Sequence, residues 1–176
     1  ALTPDAQEKL YRVVEDAAAS LGIEFGPYKA DTILTKKGPM VLELPARLSG
    51  GFHSQYTTPS ATGLEPQKMA LALATGLDVK KEYCERTKSD VTICKAIFPD
   101  PGTVRLIRGV DAAKKLPGVE QVFVMVNEGD EIPAYRNCGH RVCYIIASGR
   151  NATEAELNWQ RAANTVRINT TPERKY

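Results

Sequence analysis

Residues 28–51 read YKADTILTKKGPMVLELPARLSGG, the pattern of a β-hairpin that runs into a glycine-bearing loop. Two extended runs, Tyr28 to Thr35 and Met40 to Ala46, flank Lys36, Lys37, Gly38 and Pro39. A three-residue loop ending in Gly38 suits a type I turn closed by a left-handed glycine bulge. With Lys37 at its centre, that turn sets Asp31 opposite Glu43 on one face, their Cβ atoms roughly 4.5–5.5 Å apart. The assignment depends on turn length, because side-chain direction alternates with a period of two. On the same alternation Tyr28, Ala30, Leu34, Met40, Leu42, Leu44 and Ala46 form a core face. Lys29, Asp31, Ile33, Val41 and Glu43 form a mixed face that could look into a cleft.

Two acids directly opposite each other repel, and a sheet built for stability alone avoids the pairing. A hard divalent cation such as Mg2+, which takes oxygen ligands and often sits between carboxylates and substrate phosphates, removes the conflict. The other reading is a solvated acid pair with Lys29 and Arg47 as partners. Spacing alone leaves both open.

Outward from the hairpin, the chain reads as helix, then loop and helix, then a run of short strands. Thr3 and Pro4 suit an N-cap and first helical residue. Leu10, Val13, Val14, Ala17, Ala18 and Leu21 follow at helical spacing up to Gly22. Leu48 to Gly63 is rich in Ser, Thr, Gly and Pro, which predicts a functional loop or lid. Pro66 opens a second helix that ends at Gly76, and the charged stretch Lys80 to Lys88 is the expected linker. From Val91 the runs Val91–Phe98, Val104–Arg108, Val119–Val126 and Arg141–Ala147 alternate with Pro-Gly and Gly-Asp turn signals and predict an antiparallel sheet. Asp111 to Leu116 predicts one or two helical turns. Asn151 and Glu154 have the spacing of a capping box ahead of a helix carrying Ala155, Trp159, Ala162 and Ala163, with Trp159 as a core anchor. Val166 to Thr170 is expected to close the sheet.

The whole is an α+β chain of antiparallel sheets with packed helices, divided into a domain over residues 1–88 and a second over 89–176. Its 176 residues carry 23 Lys plus Arg against 21 Asp plus Glu, with no basic stretch interleaved with aromatics, so nucleic acid is not an expected partner. No run of about 18 apolar residues and no leader pattern appear, so no membrane partner is expected and a cytoplasmic protein is. Cys84, Cys94, Cys138 and Cys143 lack zinc-type spacing, and Cys94 and Cys143 lie in apolar strands where reduced cysteine packs as a small core residue. Cys138-Gly139-His140 can also be read as a nucleophile beside a base or as part of a metal site, with His53 the only other histidine.

The hairpin acids, Asp31 and Glu43, with Glu43-Leu-Pro-Ala-Arg47 running into Leu48-Ser49-Gly50-Gly51, resemble the metal-binding end of the ATP-grasp fold. The resemblance extends to Gly22-Ile23-Glu24-Phe25-Gly26-Pro27, to Ala61-Thr62-Gly63, and to Gly139-His140-Arg141 leading into Tyr144-Ile145-Ile146-Ala147-Ser148-Gly149. It covers nearly the whole chain, on the side of the carbamoyl-phosphate-synthase-like and L-amino-acid-ligase branch. The family couples a carboxylic acid to an amine or similar nucleophile, using ATP to make an acylphosphate. The resemblance implies that Asp31 and Glu43 hold Mg2+ (or Mn2+) and through it ATP, and that Arg47 stabilises charge developing on the acylphosphate. It also implies that Ser49, Gly50, Gly51 and His53 line the pocket of the acid substrate. An Asn common in the family two residues after the metal-binding Glu is here Pro45, which puts a second metal ion in question.

The family's adenine contacts and phosphate-binding lysines come mostly from sequence ahead of this hairpin, and no GxxxxGK[ST] or GxGxxG element replaces them here. The chain therefore resembles the C-terminal portion of a ligase, inactive by itself, whose partners are a missing N-terminal lobe, in the same protein or on a separate chain, and small acid and amine substrates. The competing expectation is a non-catalytic binding or assembly module with a degenerate metal site, whose antiparallel sheet makes a subunit interface as in a homodimer.

Overall fold

The computed structural model describes residues 2–171, which divide into two compact units. One runs up to Gly50 and resumes over Glu65–Cys84; the other comprises Gly51–Leu64 and everything from Glu85 onward.

In the first unit, helix α1 (Pro4–Ser20) starts where its sequence says it should. The Thr3 hydroxyl accepts from the Ala6 N–H at 3.3 Å, and Pro4 occupies the first turn, where its missing N–H costs nothing. Leu10 and Ala18 are its buried residues, and α1 packs against the hairpin mainly through the second strand. The hairpin is β1 (Asp31–Thr35) with β2 (Gly38–Glu43). Its register corrects the expected turn. Thr35 pairs with Gly38, so the loop is the two residues Lys36 and Lys37, and Leu34, Ile33 and Thr32 pair with Pro39, Met40 and Val41. The Thr35 hydroxyl closes the turn by accepting from the Lys37 N–H at 3.1 Å and donating to the Gly38 carbonyl at 2.9 Å. A bulge between Asp31 and Thr32 then absorbs one residue and restores Asp31 to its place opposite Glu43.

The expected core face is also corrected. Leu34, Met40 and Leu42 are 47, 53 and 67% exposed, while the half-buried positions of β2 are Gly38, Pro39 and Val41. The alternation identified an apolar face, but no layer of the described chain covers it. Helix α3 (Pro66–Ala74) ends as expected near Gly76, whose φ of 70° needs no Cβ.

In the second unit, Gly51–Leu64 is more regular than a loop. A π-helical turn over His53–Thr57 leads directly into a short helix α2 (Thr58–Thr62). The strands form two antiparallel sheets where one was expected. The first has the order β3 (Val91–Ile97), β7 (Cys143–Gly149), β5 (Val119–Val124). The second has the order β6 (Glu131–Ile132), β4 (Gly102–Arg108), β8 (Arg167–Thr171). Strand β7 is central and carries the core: Cys143, Ile145, Ile146 and Ala147 are fully buried. Helix α4 (Val110–Lys114) and helix α5 (Ala152–Thr165) bury Ala113, Ala155 and Ala162 completely. Asn151 caps α5 by accepting from Glu154 N–H at 2.9 Å, and Glu154 reaches back to the Arg150 N–H at 2.9 Å. Trp159 packs on the core cluster as an anchor and donates to the Lys95 carbonyl at 3.4 Å.

Candidate functional site

The hairpin carries the acid pair that drew attention in the sequence. Past the end of the regular ladder, the Lys29 N–H donates to the Pro45 carbonyl at 3.2 Å, which extends the pairing and holds Lys29 beside the two acids. Its ammonium lies 2.7 Å from Asp31 Oδ2 and 3.5 Å from Glu43 Oε1. One cation thus reaches both carboxylates, which therefore share a face. Arg47 approaches the same Glu43 oxygen at 3.7 Å and donates to the Leu48 carbonyl at 3.1 Å. The hydrogen bond to Asp31, with the charges of Asp31 and Glu43 added, holds the Lys29 ammonium above the ordinary lysine range.

Both carboxylates are open to solvent, 58 and 57% exposed, whereas the Lys29 side chain is only 19% exposed. The donor set suits a hard cation: two carboxylates on one face, close enough to share a positive charge, and accessible. A positive group already stands where they converge. Among the described residues no cluster of three or more His, Cys, Asp or Glu forms a fuller cage. Pro45 contributes its backbone carbonyl, to the N–H groups of Lys29 and Arg47, and no side-chain ligand.

The residues expected to line an acid pocket fall on both sides of the division of the chain. Ser49 and Gly50 belong to the first unit, Gly51 and His53 to the second. Gly51 and Phe52 are both left-handed, with φ of 63° and 67°, and Phe52 is the only non-glycine among the described residues to be so. Such a residue costs on the order of 1–3 kcal/mol and persists only when its surroundings fix it. They do so here. The Phe52 ring stacks on Phe123 with centroids 4.3 Å apart and meets the edge of Tyr144 at 5.1 Å.

His53 follows with a defined tautomer. The buried Thr57 hydroxyl donates to the His53 carbonyl at 3.3 Å, so the ring Nδ1, 2.9 Å from the same hydroxyl, carries the hydrogen and donates. Nε2 is left as an acceptor. A Cβ on residue 51 would stand 3.7 Å from Nε2, so glycine keeps this edge of the ring open. The strained Phe52 and the π-helical turn are site features that sequence reading missed. Both depend on aromatic packing across about 90 residues of sequence, and the one local cue is Gly50-Gly51 followed by a bulky residue.

The Cys138-Gly139-His140 alternative has a different geometry. His140 Nδ1 accepts from the Arg136 N–H at 3.1 Å. Cys143 is a core thiol, pushed up to about 11 by burial, and burial raises Cys94 as well, against the opposing charge of Arg141.

Residues 95–171 match the family model described as L-amino acid ligase C-terminal domain 2. Over nearly its full length the chain has the fold of an L-amino acid ligase from Bacillus licheniformis, with a TM-score of 0.80 at 23% identity, covering 98% of this chain and 44% of that one. The phosphoribosylglycinamide synthetase of Anaerococcus prevotii gives 0.84 at 18% identity, covering 97% and 43%. In sequence, an uncharacterized protein of Sinorhizobium fredii, y4rH, is 27% identical over 94% of this chain and 34% of its own length. The resemblance to the C-terminal portion of ATP-grasp ligases is thus supported by the family model and by the fold. The chain spans between 34 and 44% of the length of these proteins.

Proposed function

We propose that this chain is the C-terminal part of an ATP-dependent ligase that joins a carboxylic acid to an amine, or to a thiol, through an acylphosphate. On this reading it is inactive alone, because ATP is held by an N-terminal lobe in the same protein or on another chain. The observation that carries the reading is the acid pair: Asp31 and Glu43 oppose each other on one exposed face and share a single positive charge. The fold similarity to ligases more than twice as long supports it.

Asp31 and Glu43 are the residues that would hold Mg2+ or Mn2+, which supplies charge neutralisation at the nucleotide phosphates. Lys29 keeps the two acids ionised and together. Arg47, 56% exposed and attached to Glu43 by a long contact, is free to turn its planar fork to charge that grows on a transferring phosphoryl group. Ser49, Gly50, Gly51 and His53 line the acid substrate, with His53 Nε2 as a fixed acceptor and the glycines leaving the backbone approachable. A cytoplasmic setting accords with four free cysteines.

One observation favours a second reading, a non-catalytic binding or oligomerisation module. Lys29, Asp31, Glu43 and Arg47 already form a closed charge network, and Pro45 removes a side-chain ligand. Steady-state kinetics of Arg47→Lys in the full-length protein separates the two. If Arg47 meets the phosphoryl group in the transition state, kcat and kcat/KM fall together by about tenfold or more, about 1.4 kcal/mol. An unchanged kcat with a lowered Tm assigns Arg47 to the charge network alone.

A further inference from the structure

Where the chain enters β7, at one end of the β3-β7-β5 sheet, the second unit encloses a cavity of about 420 Å3. That is within the size range of small-molecule sites, and its walls are mostly apolar: Met125, Val126, Ile132, Pro133 and Val142. Three polar side chains also line it, and none is explained by packing.

Arg141 is half-buried, and its guanidinium donates to the hydroxyls of Tyr144 and Tyr135 while lying 5.9 Å from the Tyr144 ring centroid. Its partners among the described residues are phenols, not a carboxylate. A half-buried cation braced in this way lacks its counter-ion, which is costly unless a ligand supplies one. His140 spends Nδ1 accepting from the Arg136 N–H, so the neutral ring carries its hydrogen on Nε2, a second donor. Glu131, on β6, lines the same cavity. No ion pair joins it to Arg141 among the described residues, although the two charges are opposite and border one space. An acid and a base that share a cavity without meeting leave room for a molecule with both charges. The rim is aromatic: Tyr135 packs edge-on against Phe98 at 4.8 Å and against His140 at 6.5 Å.

We propose that this cavity binds a small zwitterion with an apolar body, the chemistry of an apolar α-amino acid. Its carboxylate is taken by the Arg141 fork and His140 Nε2–H, its ammonium by Glu131, and its apolar part by Met125, Val126, Ile132 and Val142. The site rests on these residues alone and stands independently of the ligase reading.

Titration calorimetry on the 176-residue chain tests it with L-leucine, 4-methylpentanoate, which lacks the ammonium, and isopentylamine, which lacks the carboxylate. L-leucine is expected to bind at least about tenfold more tightly than either, because a site built for a polar group rejects the analogue without it. Arg141→Gln should bring leucine down to the level of the amine, and Glu131→Gln to the level of the carboxylate. If Arg141→Gln fails to fold, Arg141→Lys is read in its place, with severalfold weaker binding expected from loss of the fork. Equal binding of all three compounds, no saturable binding at millimolar concentration, or displacement of leucine by an equal concentration of inorganic phosphate would overturn the proposal.

Discussion

The β1-β2 hairpin and the β3-β7-β5 sheet are both antiparallel and both apolar on one face, yet they end in opposite conditions. On β7, Cys143, Ile145, Ile146 and Ala147 are fully buried. On the hairpin, Ile33, Leu34, Met40 and Leu42 are 47 to 67% exposed. The difference lies in what covers each face. Strand β7 has a strand on either side and α5 packed on it. The hairpin has α1 alone, and two-stranded sheets are marginal without further strands or a second layer. The second unit is a finished core, whereas the hairpin offers an apolar surface of the kind that marks an interaction site. On the proposed function, the N-terminal lobe covers it.

The sharpest way to break this contrast is to cut the same kind of side chain from each face. Ile145→Ala leaves a cavity in the closed core and should cost about 2–5 kcal/mol in denaturant unfolding. Leu42→Ala in the isolated chain should stay within about 0.5 kcal/mol of wild type, as an exposed position does. In the full-length protein the Leu42 change should become destabilising as well. A Leu42→Ala cost that is the same in both settings would show that the exposed face is not an interface.

A smaller effect concerns the second unit's own bracing. Hydrogen bonds from Arg150, side chain first and backbone second, hold the Glu154 carboxyl below the ordinary glutamate range. A depressed folded-state value contributes stability that is present above the unfolded value, near 4.5, and is lost as pH falls through the folded one. Glu154→Gln should therefore lower Tm slightly at neutral pH, with the gap to wild type closing below about pH 4. A gap that persists at low pH would mean that Glu154 acts through packing.

How much of this was legible beforehand follows the range of the interactions. Helix α1 with its Thr3 cap, α5 with its Asn151 cap, and the strand positions around β3 and β7 are fixed by local spacing and were readable. So was the pairing of Asp31 with Glu43, although the reasoning reached it by a three-residue turn where a two-residue turn and a bulge do the work. Two compensating one-residue shifts cannot be told from none by counting. The exposed hairpin face was misread because alternation identifies apolar residues without saying whether the covering layer lies in this chain. The His53–Thr57 turn was read as loop because Phe52 is held by Phe123 and Tyr144, contacts that no local window contains. The separation into two sheets depends on β6, only two residues long, pairing with β4.

The account's central claim is that the acid pair on the open hairpin belongs to a ligase and does more than brace Lys29. The most direct measurement is acid- and amine-dependent ADP release by the full-length protein, wild type against Glu43→Ala, alongside the melting temperature of each. The account predicts that ADP release in the variant falls by about a hundredfold or more, about 2.7 kcal/mol, while Tm changes little, because Glu43 is an exposed partner of Lys29. Full ADP release by Glu43→Ala would contradict it and leave the pair as an ion-pair network on a surface hairpin.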